Sequence, residues 1–250
     1  MVTFETKCYE NYFQLMLNSN YLETMIERCN YKFDKKILFI NNVSDINQVK
    51  TYANKSVSKG IINEFYVVEE YAQAALDFFK IDKESFLGGY YYSIAELVSI
   101  FLCKTEYLLH FSSDSMMLAN SESWIDDAIN IMKQNEKFIV ANPTWNNLFN
   151  EAKNESFDEI ENWFVGSGFS DQCYLIKSDV FKNNIYNFHH KCSQRYPKYG
   201  GELFEKRVDS YMRCNNLYRL TNKNCSYMHE NIPKTSYLNQ INWFDRNTQK

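Results

Sequence analysis

Four small oxygen-bearing side chains follow an apolar run near the middle of the chain. The run is Tyr107–Phe111, which has the length and composition of a buried strand, and Ser112, Ser113, Asp114 and Ser115 come directly after it. Carboxylate and hydroxyl oxygens are the hard ligands that Mg²⁺ and Mn²⁺ prefer. Asp114 is therefore a candidate metal ligand. The alternative is a turn-forming aspartate, which is common at strand ends.

Two other predicted strands also end in polar side chains. Thr3–Cys8 is a predicted first strand with Thr6 and Lys7 near its end, and Lys36–Asn42 is a second strand that ends in two asparagines. In open α/β sheets, ligands bind beyond the carboxyl ends of the strands. We therefore expect these polar ends and the Asp114 cluster to line one rim of a sheet.

Strands and helices alternate through the first half of the chain. The pattern predicts helices over Glu10–Arg28, from Val43, over Ala72–Phe79 and over Ile94–Cys103, with a strand over Ile61–Val68 and a loop over Gly88–Ser93. Such alternation is typical of an α/β fold, with a mainly parallel sheet flanked by helices on both faces.

The second half alternates less regularly. It predicts helices over Trp124–Lys133, Asp179–His189 and Glu202–Cys214, and strands over Lys137–Ala141 (stopped by Asn142-Pro143), Gln172–Lys177, Tyr218–Leu220 and Cys225–Met228. Between them lie a polar stretch, Asn146–Asn162, a flexible turn, Gly166-Ser-Gly168, and a loop, Pro197–Gly201. We divide the chain into one domain, residues 1–230, and a small C-terminal tail, residues 231–250.

Composition limits the classes of function. Hydrophobic residues make up 45% of the 250 residues, so a large core is expected, and a net charge of -4 argues against nucleic acid as the main partner. We predict no transmembrane segment, because no apolar stretch is long enough to span a membrane. The seven cysteines form no Cys-x-x-Cys pair, which favours free thiols in the cytoplasm. The oligomeric state is left open.

The ordered set of motifs resembles the GT-A fold glycosyltransferases, especially the large inverting family 2-type enzymes that use nucleotide-sugar donors. The strand Thr3–Cys8 and the helix Ile94–Cys103 correspond to elements around the nucleotide. Ser112-Ser-Asp114 corresponds to the Asp-x-Asp motif, Gly166-Ser-Gly168 to the acceptor turn, Glu202 to the Glu-Asp pair and His229 to the histidine after the last strand. The chain departs from this pattern where Ser112 replaces the first Asp and Leu203 replaces the Asp of the Glu-Asp pair.

This resemblance implies a GT-A-like (Rossmann-like) domain that transfers a sugar from a nucleotide diphosphate donor, a UDP-sugar, to a carbohydrate or other hydroxyl acceptor. It implies an inverting, Mn- or Mg-dependent reaction and a place in polysaccharide biosynthesis. Asp114 and His229 would hold the metal, and Glu202 would be the catalytic base, with Glu205 and Asp171 as its competitors. The nucleotide-binding half would be about residues 1–118 and the acceptor half about 119–230.

The resemblance also implies two groups of binding residues. The donor group is Thr6, Lys7, Tyr9, Asn42, Gly89, Ser93, Ser113 and Asp114. The acceptor group is Trp163, Phe164, Gly168, Phe169, Ser170 and Asp171. For each group the competing interpretation is ordinary packing or a solvated side chain. His110, which lies inside an apolar run, is predicted to be a core residue.

Two other functions stay open. The departures from the motifs also fit a catalytically inactive relative that binds nucleotide-sugars or carbohydrates. A nucleotidyltransferase would share a Rossmann-like half and a metal-binding Asp. The segment Thr6–Glu10 contains no glycine for a phosphate-binding loop, which disfavours the nucleotidyltransferase.

Overall fold

A computed structural model describes residues 1–119, 121–197 and 201–247. Most of the predicted loop Pro197–Gly201 and the last three residues of the predicted tail lie outside the described residues. The strands within this part are β1 (Val2–Cys8), β2 (Lys35–Ile40), β3 (Glu64–Val67), β4 (Tyr107–Phe111), β5 (Ser115–Met117), β6 (Phe138–Trp145), β7 (Ser156–Ile160), β8 (Trp163–Gly166), β9 (Cys173–Lys177) and β10 (Tyr218–His229).

The strands form one mixed sheet in the order β3-β2-β1-β4-β9-β6-β10-β8-β7, with β5 paired to β10. The first four strands of this order are parallel, as the alternating pattern predicts. Strand β9 is antiparallel to both β4 and β6, and β10 is parallel to β6. The carboxyl ends of β1, β2 and β4 therefore meet at one edge, which is the edge that matters for function.

Helices cover both faces of the sheet. They are α1 (Phe13–Asn18), α2 (Tyr21–Glu27), α3 (Ile46–Ser58), α4 (Val68–Phe79), α5 (Tyr90–Leu102), α6 (Ile125–Gln134), α7 (Phe149–Asn154), α8 (Ser178–Phe181), α9 (Phe204–Cys214) and α10 (Tyr237–Asn247). Neighbouring side chains of a strand point to opposite faces. Leu38 and Ile40 of β2 accordingly join a core with α1, α2, α3 and α6, whereas Ile37 and Phe39 join a second core with α4, α5 and α9.

Several predicted elements differ in the structure. The helix predicted over Glu10–Arg28 is two helices, α1 and α2, separated at Ser19, whose backbone is extended. The helix predicted over Asp179–His189 is limited to the short α8. Strand β6 continues through Asn142-Pro143, because both residues pair with β10. The two short strands predicted near the end are one strand, β10, with irregular pairing between Asn222 and Ser226.

The polar stretch Asn146–Asn162 contains an edge strand that the sequence did not reveal. Strand β7 pairs only with β8, at the end of the sheet order, and its three central residues are exposed. A strand with little burial lacks the apolar signal by which strands are recognised. Among the described helices, none is long and apolar enough to cross a membrane.

Candidate functional site

A cleft with a volume of about 430 Å³ opens at the carboxyl edge of β1, β2 and β4. Seven residues predicted to bind the donor or metal or to act in catalysis line it: Lys7, Tyr9, Asn42, Ser113, Asp114, Asp171 and His229. Seven more line it: Asn11, Asn41, Tyr91, Tyr92, Ser112, Gln172 and Lys234. Residues that are as far apart in the chain as Lys7 and Lys234 thus form one site.

Asp114 and His229 are brought together by strand pairing. Strand β5, which follows Asp114, pairs antiparallel with the end of β10, and this register puts His229 opposite Ser115. His229 Nε2 lies 3.5 Å from Asp114 Oδ1, and Ser112 Oγ donates to the same carboxylate oxygen at 2.9 Å. The carboxylate is therefore fixed in place by both neighbours.

The two groups stabilise each other's charged forms. Burial alone would raise the pKa of Asp114, but His229 and Ser112 more than offset this, so that its pKa is lowered. Burial alone would lower the pKa of His229, but the carboxylates of Asp114 and Asp171 raise it overall. Asp114 is thus an anion, ready to accept a cation at the rim of the sheet.

The donor set fits a divalent cation that a ligand helps to hold. One carboxylate and one imidazole already lie within 3.5 Å of each other. No group of three or more His, Cys, Asp or Glu side chains in the described part of the chain is placed to hold a metal ion. The remaining positions around an ion would have to come from water or from a bound anion.

Asp171 lines the cleft, and a second carboxyl group lies close to it. That group belongs to Glu205 on α9, which accepts a hydrogen bond from the backbone N–H of Asp171. Burial, together with the charge of Asp171, raises the pKa of Glu205 to about 9. The carboxyl group of Glu205 therefore favours its protonated, neutral form in the folded protein.

Lys7 is mostly buried and is not a solvated lysine. Its ammonium forms an ion pair with Glu96 on α5. Burial opposes its charge, but Glu96, Asp171 and Glu5 outweigh burial and raise the pKa of Lys7. Lys7 therefore keeps its positive charge in the cleft, and the carboxylate of Glu96 already balances that charge.

Sequence comparison finds no relative: no protein-family model matches the chain, and no curated protein sequence matches it. Solved structures do match. Glucosyl-3-phosphoglycerate synthase from Mycobacterium tuberculosis, in complex with Mg²⁺ and UDP, gives a TM-score of 0.51 at 12% identity and covers 100% of this chain and 76% of that chain. The same enzyme with Mn²⁺, UDP and phosphoglyceric acid gives 0.50 at 12% identity, with 100% and 76% covered. UDP-glucose pyrophosphorylase with UDP-glucose gives 0.53 at 8% identity, with 98% and 100% covered.

The chain has a GT-A-like fold. The α/β architecture predicted from strand-helix alternation is thereby confirmed, including the flanking of the sheet by helices on both faces. Identities of 8% to 12% establish a common fold and no more.

Within the GT-A-like fold, Glu202 does not line the cleft. It precedes α9, and its carboxylate accepts a hydrogen bond from Lys206 Nζ at 2.6 Å. Its backbone N–H donates to the carbonyl of Phe86 at 2.8 Å. The sequence placed the base at the start of this helix, whereas Glu205, less than one turn further on, is the residue that approaches Asp171.

Three other residues predicted to bind the donor also lie outside the cleft. Thr6 points to the opposite face of β1 from Lys7, because side chains alternate along a strand, and it is fully buried. Gly89 precedes α5, and Ser93 lies in its first turn. The Ser93 hydroxyl donates to the Gly89 carbonyl at 2.8 Å and accepts from the Phe204 N–H at 2.9 Å, so its hydrogen bonds join α5 to α9.

The aromatic residues predicted for the acceptor side are buried. Trp163, Phe164 and Phe169 are 0%, 7% and 2% exposed, so their ring faces are not available to a sugar. Tyr91 and Tyr92, at the start of α5, are 48% and 53% exposed and line the cleft. The sequence signal for this pair was the run Tyr90-Tyr-Tyr92 in the predicted loop, from which we assigned only the flanking Gly89 and Ser93 to the donor.

A smaller cavity of about 220 Å³ adjoins the cleft beyond the ends of β2 and β3. The two share Asn41 and Asn42, and the smaller one is otherwise largely apolar, with Ile40, Val43 and Val67 in its wall. Glu69 and Tyr90 supply polar groups at its edge. This combination of apolar walls and a few polar groups is typical of small-molecule sites in general.

Proposed function

We propose that this protein is a metal-dependent, inverting glycosyltransferase that moves a sugar from a UDP-sugar to a hydroxyl of a carbohydrate or related acceptor, as in polysaccharide biosynthesis. One observation carries the proposal: the metal-ligand pair Asp114–His229 and the carboxylate of Asp171 line a single cleft at the carboxyl edge of a GT-A-like sheet. The similar structures of glucosyl-3-phosphoglycerate synthase, which contain UDP and Mg²⁺ or Mn²⁺, support the choice of donor and ion.

Asp114 and His229 hold the divalent cation in this proposal. When bound, such an ion supplies charge neutralisation for the donor diphosphate as it leaves. The hydroxyl of Ser112 keeps the Asp114 carboxylate oriented toward His229. With Ser112 in place of a second carboxylate, the protein contributes few ligands, so donor and metal bind cooperatively.

Asp171 acts as the catalytic base. Its carboxylate accepts the proton of the acceptor hydroxyl while the hydroxyl oxygen bonds to the anomeric carbon. The bond from that carbon to the diphosphate oxygen breaks, and its electron pair leaves with the diphosphate. Attack from the side opposite the leaving group inverts the anomeric configuration. The protonated carboxyl of Glu205 and the backbone N–H that it engages hold Asp171 in position.

The nucleoside lies over β1 and β2. The small cavity beside the cleft receives the base, with Asn41, Asn42 and Glu69 available to its polar edge. Tyr9 and Ser113 line the path from this cavity to Asp114. We place the protein in the cytoplasm, because all seven cysteines are free thiols and five of them are buried.

Calorimetric titration with UDP-, GDP- and dTDP-sugars, each with and without Mn²⁺, tests this function. We expect Mn²⁺ to strengthen UDP-sugar binding in the wild-type protein and Asp114→Asn to remove most of that gain. Asp158→Asn, an exposed carboxylate on the edge strand β7, is the matched control and leaves it intact. Failure of the wild-type protein to bind any nucleotide-sugar contradicts the proposal. Binding without transfer or hydrolysis identifies an inactive relative.

A nucleotidyltransferase is the second candidate, because UDP-glucose pyrophosphorylase gives a TM-score of 0.53 over 98% of this chain. Against it, the only lysine of the Thr6–Glu10 segment is bound to Glu96. Formation of a UDP-sugar and pyrophosphate from UTP and a sugar 1-phosphate would establish this activity instead.

A further inference from the structure

Two lysines line the cleft, and only one is already matched by a carboxylate. Lys7 is mostly buried and forms an ion pair with Glu96. Lys234 is exposed and makes no ion pair with any residue of the described ranges 1–119, 121–197 and 201–247. The charge of Lys234 is therefore available to a ligand, and that of Lys7 is largely committed to the protein.

Lys234 belongs to a connecting segment, residues 230–236, that runs from β10 to α10 along the cleft. The segment is held at several points. The Glu230 N–H donates to the carbonyl of Asp114 at 3.4 Å, and Tyr12 Oη donates to the carbonyl of Ile232 at 3.1 Å. Ile232 itself is 1% exposed. Lys234 thus projects from backbone that is fixed immediately before it.

The far end of the connecting segment is fixed by α10. Gln240 Nε2 donates to the carbonyls of Pro233 and Asn11 at 3.1 and 2.8 Å. The ring of Phe244 packs against Tyr21, with centroids 4.9 Å apart, and Tyr21 Oη donates to the carbonyl of Ser113 at 2.9 Å. Helix α10 is therefore connected through Tyr21 to the residue that precedes Asp114.

We infer that the C-terminal tail completes the donor site and that Lys234 is a ligand of the donor diphosphate. This inference rests on the proposed function. The diphosphate gains negative charge as its bond to the sugar breaks, and one divalent cation with Asp114 among its ligands does not neutralise it fully. Lys234 lines the same cleft as Asp114 and His229 and supplies the additional positive charge.

Binding of UDP and of uridine in the presence of Mn²⁺ tests the assignment, with wild-type protein compared with Lys234→Gln. We expect the affinity for UDP to fall about tenfold or more, as for loss of a charge-assisted hydrogen bond, while the affinity for uridine, measured by competition, changes less than about twofold. Lys234→Arg should restore most of the UDP affinity. Lys104→Gln, an exposed lysine before β4 and thus at the opposite edge of the sheet, is the matched control.

The outcomes separate the two proposals. Unchanged UDP affinity in a folded Lys234→Gln protein overturns the assignment alone, because UDP binding by the wild-type protein still supports the donor site. Equal losses for UDP and uridine also overturn it, since they place Lys234 at the nucleoside. A wild-type protein that does not bind UDP refutes the proposed function, and the assignment with it. Thermal unfolding of each variant verifies that it is folded, as expected for a change at an exposed side chain.

Discussion

Two carboxyl groups, those of Asp171 and Glu205, lie close together, and of the two it is Asp171 that lines the cleft. Asp171 faces the cleft, whereas Glu205 is half-buried next to it and has a pKa raised to about 9. Two adjacent carboxyl groups rarely ionise together, because the second charge is opposed by burial and by the first. The raised pKa therefore favours the neutral form of Glu205, whereas Asp171 is the member of the pair that a ligand in the cleft can contact. Glu202 has no comparable position, since its partner is Lys206.

Substitution of the two acidic candidates distinguishes their roles. We expect Asp171→Asn to reduce sugar transfer by about a hundredfold or more, as for loss of a general base, without weakening UDP binding. Glu202→Gln should retain activity to within a few fold. Transfer rates and UDP affinities of both variants are the measurements. A larger loss in Glu202→Gln than in Asp171→Asn contradicts our choice of base.

The raised pKa of Glu205 has a consequence for stability. Unfolded chains release this proton near the ordinary pKa of 4.5, whereas the folded protein retains it until about pH 9. The unfolded state therefore binds fewer protons between these values, and the contribution of Glu205 to the free energy of unfolding falls as the pH rises through this range.

Replacement of Glu205 by glutamine should remove that contribution. Urea unfolding at about pH 5.5, 7 and 8.5 is expected to show Glu205→Gln gaining stability relative to the wild-type protein as the pH rises. Below about pH 4.5 the Glu205 side chain is neutral in both the folded and the unfolded protein, so Glu205→Gln gains no relative stability in that range. A stability difference that is independent of pH contradicts the assignment of the proton to Glu205.

At the scale of elements, α5 connects the two halves of the site. Its buried Glu96 holds Lys7 at the end of β1, and its exposed Tyr91 and Tyr92 line the mouth of the cleft. The hydroxyl of Ser93 accepts a hydrogen bond from the backbone N–H of Phe204, the first residue of α9. Leu203 precedes that helix and has no side chain able to cap it, so the capping hydroxyl comes from another helix. Ser93 thus has a structural role where the sequence suggested a donor ligand.

Loss of this hydroxyl should affect stability and leave the donor site intact. We expect Ser93→Ala to lower the free energy of unfolding by about 1 to 2 kcal/mol, because the buried N–H of Phe204 loses its partner. UDP affinity should stay within about twofold of the wild-type value, since Ser93 lies outside the cleft. Denaturant unfolding and UDP titration of the same variant test both parts. A tenfold loss of UDP affinity without destabilisation would restore Ser93 to the donor site.

At the scale of the whole molecule, the site depends on contacts between the two ends of the chain. The first turn after β1 contributes Tyr9 and Asn11, and the last segment contributes His229 and Lys234. Helix α10 stabilises these contacts by burying the side chains of Trp243 and Phe244, which are 7% and 2% exposed. The tail, which composition alone described as a polar extension, is part of the fold.

The α/β architecture and the rim on which the site lies could be predicted from the sequence. Strand-helix alternation and the polar residues that follow Phe111 are local features, and a parallel arrangement brings such strand ends together. The resemblance in motif order added His229 and Asp171 to the same region, and both line the cleft.

Which neighbours of those residues face the cleft could not be predicted, because it depends on contacts between distant parts of the chain. Thr6 and Lys7 are adjacent in sequence but point to opposite faces of β1, and Glu202 and Glu205 differ by less than one helical turn. The antiparallel position of β9 between β4 and β6, and the packing of α10 against Tyr21, likewise depend on residues distant in the chain. Local patterns determine where a strand or helix lies, whereas side-chain direction and burial depend on long-range packing, and these set which polar side chains line the cleft.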